Sequence, residues 1–298
     1  MKKYRIITIT IALILLLDYG FNLFLLNGLN RAYKLNQHSK ILIIGHSHLM
    51  MGLDRTTMEQ ELGCPITKYT RSGVGLIERH LMVKQYLNSQ YSDSLKLAIL
   101  GVDPFSFNGT GISKNSYTLF YPFMDDPDVS IYLKKNISLL DYSIHKIFKL
   151  TRYSDDLLTA SIRGWKSDDR NYKSDTLTTE IMGRRFNVWM RDIDFNPILQ
   201  NELEICINEL TQRGIRVLLV NTPIIYKLTQ PQHDKYKKIL NYYQDLEKKF
   251  DLVDFINYSP QYEQNFSLFF DPIHLNKYGQ KIITHQVIED IQKRNLLQ

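Results

Sequence analysis

Hydrophobic positions fall into two regimes along the chain. Residues 6–29, IITITIALILLLDYGFNLFLLNGL, form one nearly unbroken apolar run with a single charge, Asp18. That length suits the roughly 20 residues needed to cross a bilayer core. It exceeds the apolar stretch of a cleaved signal peptide, and no A-x-A site follows it. Residues 6–29 are therefore expected to anchor the chain in a membrane. Beyond residue 40 the apolar positions come in short runs: KILIIG (40–45), LKLAILGV (95–102), IRVLLVNTP (215–223) and the weaker FDLVDFI (250–256). Continuous runs of this size suit strands covered on both faces by helices.

Helical spacing fills the intervals. IERHLMVKQYLNSQY places Leu81, Val83, Tyr86 and Leu87 at helical intervals, and NELEICINELTQRG closes on Gly214 as a helix stop. HDKYKKILNYYQDLEKKF carries Tyr236, Ile239, Leu240, Tyr243 and Leu246 along one side. A last helix starts around Lys277 and buries Ile282, Ile283, Val287 and Ile291. Strand and helix alternating in this way predict a doubly wound, mainly parallel α/β sheet. Residues from about 104 to 197 break the rhythm with aromatics, charges and turn residues, and the interval is too long for a loop. It is expected to be a helical insertion, packed over one end of the sheet as a lid or substrate platform. The predicted organisation is an anchor at 1–30 and an α/β domain at 31–298 carrying that insertion.

Charge refines the picture at two places. Lys2, Lys3 and Arg5 precede the apolar run with no acid among them, which predicts a cytoplasmic amino terminus and a domain on the far side of the membrane. Asp18 is costly within a bilayer, so it is expected to pair with water or with a polar group on a partner helix. The net charge of +6 is dispersed, with Lys248 and Lys249 beside Glu247 and Asp251, and no nucleic-acid signature accompanies it. Nucleic acid is not an expected partner. Cys64 and Cys206 lie far apart outside any CxxC, and read as buried small hydrophobes.

Ligands of open parallel sheets bind beyond the carboxyl ends of the strands. There the first strand exits on G-H-S-H, with Ser47 between His46 and His48. Three readings compete: a nucleophile, the H-x-H half of a metal site, and an ordinary polar strand end. The turn lacks G-x-S-x-G, so it is not the elbow of α/β-hydrolases. A serine nucleophile needs a base and the base needs an orienting acid. The stretch SLFFDPIHLNKYG supplies both, with Asp271 and His274 three residues apart just before the last helix. A turn between them lets the carboxylate fix one imidazole nitrogen while the other takes the serine proton. The metal reading through His46 and His48 calls for later His and Asp ligands at strand ends. His80, His145, His233 and His285 fall in helical or inserted segments instead. No metal or cofactor is expected, and a metal-dependent hydrolase stands as an alternative.

Ser47 just after the first strand and DPIHLNKYG near the carboxyl end, with Leu275, Asn276 and Gly279, resemble the SGNH, or GDSL-type, hydrolase superfamily over about residues 40–298. The resemblance implies a flavodoxin-like three-layer fold, with Ser47 as nucleophile, His274 as base and Asp271 as acid. It implies oxyanion donors from the Ser47 amide and from Gly73 of YTRSGVG, with Gly75 as a fallback. The family's third block is G-x-N, but here L-G-V-D puts Asp103 in that place. A carboxylate accepts and does not donate. Either Asp103 then has another role, Asn108 or another residue of the insertion donates instead, or the backbone groups of Ser47 and Gly73 suffice. His48 is left to line the pocket or hold the turn. G-H-S-H also departs from G-D-S-L. It is similar to membrane-anchored, extracytoplasmic relatives that move or remove acyl groups, commonly acetyl, on cell-surface polysaccharides, sometimes beside a multispan acyltransferase. The implied function is acyl-ester hydrolysis or O-acyl transfer on such a glycan through acyl-Ser47. Trp165, Tyr172 and Trp189 of the insertion are candidates for stacking on sugar rings, although aromatics in an inserted segment more often pack as core. A weak or inactive glycan-binding or assembly subunit is the alternative that Asp103 motivates.

Overall fold

Four apolar runs become β1 (Ile41–Gly45), β3 (Leu97–Val102), β4 (Arg216–Asn221) and β5 (Val253–Asn257) of a parallel sheet. The computed structural model describes residues 2–108, 115–168, 171–178, 180 and 189–298; the inserted residues 109–114 and 181–188 lie outside the described residues. Ile41, Leu42, Ile43 and Ile44 of β1 are fully buried. At about 1.5–3 kcal/mol for each buried side chain, β1 is the hydrophobic axis of the sheet. A fifth strand, β2 (Ile66–Thr70), was not legible as an apolar run, yet all of ITKYT is buried. Tertiary partners satisfy its polar side chains: Thr67 Oγ1 donates to Ser39 Oγ at 2.9 Å, and the Lys68 ammonium donates to the carbonyls of Met50 at 2.8 Å and Leu53 at 2.6 Å.

The strand order is β2-β1-β3-β4-β5. This is the flavodoxin-like order, in which the chain reverses direction between β1 and β3. With right-handed crossovers, the reversal sends α3 (Arg55–Leu62) to one face, and α4 (Leu76–Leu87), α8 (Pro197–Thr211) and α9 (His233–Lys249) to the other. The contacts agree, since α4 packs on α8 while the carboxyl-terminal α10 (Lys277–Lys293) packs on α3. Cys64 and Cys206 are buried free thiols.

Contacts divide the chain into two compact units: Gln37–Lys114 with Arg170–Gln298, which holds the sheet, and Met1–Asn36 with Asn115–Asp169. The second unit contains α1 (Lys2–Tyr33), α5 (Pro127–Asn136), α6 (Leu139–Ile147) and α7 (Asp155–Trp165). The inserted residues 115–169 thus find their packing partner in α1. Asp18 is buried and accepts the backbone N–H groups of Lys149 at 2.7 Å and Leu150 at 2.9 Å. Two amides of its own chain satisfy the carboxylate, where water or a polar group on a partner helix was expected. Asn22 Oδ1 accepts the Tyr153 hydroxyl at 3.0 Å one turn further on. Trp165, for which core packing was weighed against sugar stacking, stacks on Phe24 at 4.9 Å and donates to the Phe24 carbonyl at 3.1 Å.

Candidate active site

Ser47 is the first residue of α2 (Ser47–Gly52), a single short helix that leaves β1 directly. Two glycines make that exit possible. A Cβ on Gly45 would meet the Leu49 side chain at 2.9 Å, and one on Gly101 of β3 would meet it at 2.8 Å. Leu49 therefore sinks between the ends of β1 and β3, and α2 lies down on the switch point of the sheet. His46 caps the start of the helix, its Nδ1 accepting the His48 N–H at 3.1 Å. At the other end Lys68 holds the carbonyls of Met50 and Leu53, and the Gln280 amide donates to the Met51 carbonyl at 2.9 Å. A cation on the last carbonyls of a helix is favourable. The serine thus rides on a helix fixed at both ends.

Asp271 and His274 sit on a two-stranded antiparallel hairpin, β6 (Phe269–Asp271) and β7 (His274–Leu275). Asp271 Oδ1 accepts the N–H groups of Ile273 and His274, both at 2.9 Å, which folds the turn. Its Oδ2 then meets His274 Nδ1 at 2.7 Å, and His274 Nε2 stands 2.7 Å from Ser47 Oγ. With the carboxylate on Nδ1, the imidazole carries its proton there and presents a lone pair at Nε2 to the serine hydroxyl. The motif beyond the histidine also has a local cause. Asn276 caps α10, accepting from the N–H groups of Tyr278 at 3.0 Å and Gly279 at 3.1 Å, while its amide donates to the Ser267 carbonyl at 2.8 Å.

Asp103 follows β3 and is almost fully buried. Its carboxylate accepts from His46 Nε2, from the Phe105 N–H at 2.6 Å and from the Ser106 hydroxyl at 3.2 Å. Burial alone would raise this carboxyl, but the adjacent His46, with His48 and Arg79, outweighs burial and holds it well below the usual carboxylate range. His46 is neutral, because its Nδ1 accepts from a backbone amide and its Nε2–H faces Asp103; burial moves its pKa the same way, downward. Asp103 is therefore not an oxyanion donor but the acceptor that fixes the tautomer of the helix-capping His46. Two more residues support it from behind: the Tyr243 hydroxyl donates to the Asp103 carbonyl at 2.9 Å, and Arg79 donates to the Gly101 carbonyl and, at 3.2 Å, to the Gly75 carbonyl.

His48 is buried, and burial followed by the neighbouring His46 pushes its pKa well down. Its ring stands edge-on to His46 at 4.3 Å and to His274 at 5.6 Å. Among the described residues, His46, His48 and Asp103 are a group with ligand atoms close enough to share a cation, all within 4.8 Å. Both His46 nitrogens are already engaged, so a cation would have to displace the Asp103 bond or the helix cap. The set does not fit a metal without dismantling the turn that carries Ser47.

The remaining candidates separate. Gly73 lies in the turn after β2 at φ 84°, a conformation that side chains resist. Gly75 is no fallback donor, because its N–H is given to Glu78 Oε2 at 2.9 Å as the cap of α4. Asn108 is engaged elsewhere, donating to the Asp192 carbonyl at 3.3 Å. Tyr172 is exposed, while Trp189 meets the His274 ring edge-on at 5.9 Å. Lys68, Arg79, Tyr243 and Gln280 escaped sequence reading, since each sits at an ordinary helical or strand position. A lysine inside a five-residue β-prone run was the one available signal.

No family model matches the chain, and no curated protein matches it. Fourteen solved chains do match. One is a Bacteroides fragilis structure described as an acylhydrolase, with 10% identity and a TM-score of 0.42 over 87% of this chain and 88% of its own. A GDSL-like lipase of Bacteroides thetaiotaomicron is 9% identical, with a TM-score of 0.41 over 85% and 88%. A Streptococcus pneumoniae protein described as a platelet activating factor is 12% identical, with a TM-score of 0.41 over 89% and 91%.

Proposed function

We propose that the chain is a serine acyl-ester hydrolase or O-acyltransferase that works through an acyl-Ser47 intermediate. What carries the reading is the continuous relay of Ser47 Oγ, His274 and Asp271, each link at 2.7 Å. Ser47 Oγ attacks the ester carbonyl carbon while its proton passes to His274 Nε2. Asp271 stabilises the imidazolium so formed. Backbone N–H groups of Ser47 and Gly73 receive the oxyanion. Collapse expels the alcohol, which takes the proton from His274, and leaves the acyl group on Ser47. Water or a sugar hydroxyl then repeats the sequence, its proton going to His274, and releases the acid or a new ester.

The substrate class in this reading is an acylated cell-surface polysaccharide, acetyl being the expected group. α1 crosses the membrane with its amino terminus in the cytoplasm, and a multispan acyltransferase is the fitting partner if the reaction is transfer. The support is a helix long and apolar enough to span, preceded by Lys2, Lys3 and Arg5. Hydrolysis of p-nitrophenyl acetate by the full chain in detergent tests the chemistry. Ser47→Ala is expected to lose at least about 10³-fold in kcat, and wild-type protein trapped at low pH should carry acetyl on the Ser47 peptide. Equal turnover by Ser47→Ala would leave a binding or assembly subunit as the better reading.

A further inference from the structure

α6 is amphipathic and buries none of its residues, so its apolar side is not used as core. Its half-buried positions are polar: the Tyr142 hydroxyl bonds Ser130 Oγ at 2.7 Å and His145 Nδ1 meets Thr151 Oγ1 at 2.8 Å, while Asp141 and Lys146 are exposed. Its apolar side faces out: Leu139 is 76% exposed, Leu140 70% and Ile147 57%, and Phe148 and Leu150 continue the face into the turn that follows. An apolar helix face left outward marks an interaction surface.

The depth of Asp18 says what covers it. If α1 crosses the bilayer from Ile6, Asp18 lies about 18 Å along its axis, well inside a hydrocarbon core about 30 Å thick. The backbone of Lys149 and Leu150 is hydrogen-bonded to that carboxylate. The corner joining α6 to the 3-10 turn Lys149–Arg152 is therefore held at the same depth. The outward residues of α1 beyond Asp18, namely Phe21, Leu23 and Phe24, are exposed and apolar as well. The cations at this corner are drawn together by one acid, Asp125, which takes Lys146, Lys149 at 3.3 Å and Arg152 at 2.9 Å.

We infer that the α6 corner is a second membrane element, its Leu139, Leu140, Ile147, Phe148 and Leu150 face immersed in acyl chains beside α1. The inference rests on α1 being a bilayer span. It assigns the lipid itself, not a protein, as the partner of this face. The insertion then serves as a wedge that seats the chain in one leaflet, and the Asp18 contact is the pin that sets its depth.

Nitroxide quenching on the full chain tests this. Single cysteines at Leu140→Cys, Ile147→Cys, Leu13→Cys and Lys237→Cys, in a background with Cys64→Ala and Cys206→Ala, are labelled with an NBD fluorophore. The proteins are reconstituted in phosphatidylcholine and phosphatidylglycerol vesicles with nitroxide on the acyl chains. Emission should be lost at 140 and 147 as at 13, and be retained at 237. Quenching at 13 with emission at 140 and 147 as high as at 237 would overturn the inference and leave the anchor standing. Retained emission at 13 would overturn the anchor and the inference together. Positions 140 and 147 shielded from aqueous iodide but untouched by nitroxide would mean a protein covers the face, which also overturns it.

Discussion

Asp103→Asn separates two accounts of this site by the sign of its effect. Read by family pattern, the asparagine restores a missing oxyanion donor, worth about 10²- to 10³-fold in rate. The geometry says the reverse. The carboxylate accepts from His46 Nε2, Phe105 N–H and Ser106 Oγ, and an amide has one acceptor oxygen for these donors. If that oxygen keeps Phe105, the amide N–H₂ faces the His46 N–H. If the amide flips, N–H₂ faces the Phe105 N–H. Moving the His46 proton to Nδ1 sets it against the His48 amide, which now donates there at 3.1 Å. Every arrangement leaves two donors opposed in a buried site. Leaving a buried donor unsatisfied costs about 1–3 kcal/mol, and with two donors opposed about 3 kcal/mol is expected here. For a domain of this size that is about 6–12 °C in unfolding temperature. Because His46 caps the helix that bears Ser47, turnover should fall with stability. Circular dichroism melting and p-nitrophenyl acetate hydrolysis on the detergent-solubilised full chain measure both. An unchanged midpoint, or hydrolysis faster than wild type, refutes the reasoning.

Lys68→Met removes the cation from the carbonyls of Met50 and Leu53 and should cost about 2–4 kcal/mol, with kcat falling more than KM rises, because α2 loses its fixed end; wild-type melting in this variant would sink the capping role. Stability should also depend on pH through His46 and His48, whose pKa values lie below the ordinary 6.5 in the fold. As pH drops through 6.5 the unfolded chain takes up protons that the folded site refuses, so stability falls by up to about 1.4 kcal/mol per pH unit for each histidine. Urea denaturation between pH 7.5 and 5.5 should show that slope, and His48→Leu should remove its share; a slope identical in the variant would assign the effect elsewhere.

The parts of the fold that were legible are those in which one segment carries the whole signal. β1, β3, β4 and β5 are continuous apolar runs, and D-P-I-H closes its own turn through Asp271, so the candidate acid and base could be found without the fold. β2 was hidden because Thr67 and Lys68 are buried at the expense of partners on other segments. The other role left open for Asp103 stayed unnamed for a related reason: its place at a donor position was visible, but its contact with His46, 57 residues away, was not. The partner of the insertion was least legible of all. Asp18 is satisfied by backbone amides, which leave no side-chain signature in any sequence.

The link from Ser47 to His274 spans 227 residues, and the far end of α2 waits equally long for Gln280. A chain still emerging from the ribosome therefore displays its serine early, on an incompletely fixed helix and without a base. In the proposed reaction Ser47 gains its base only when the β6–β7 hairpin and α10 have docked against α2, after α1 and α6 have been made. Any turnover through Ser47 would then report that these distant segments of the α/β unit have met.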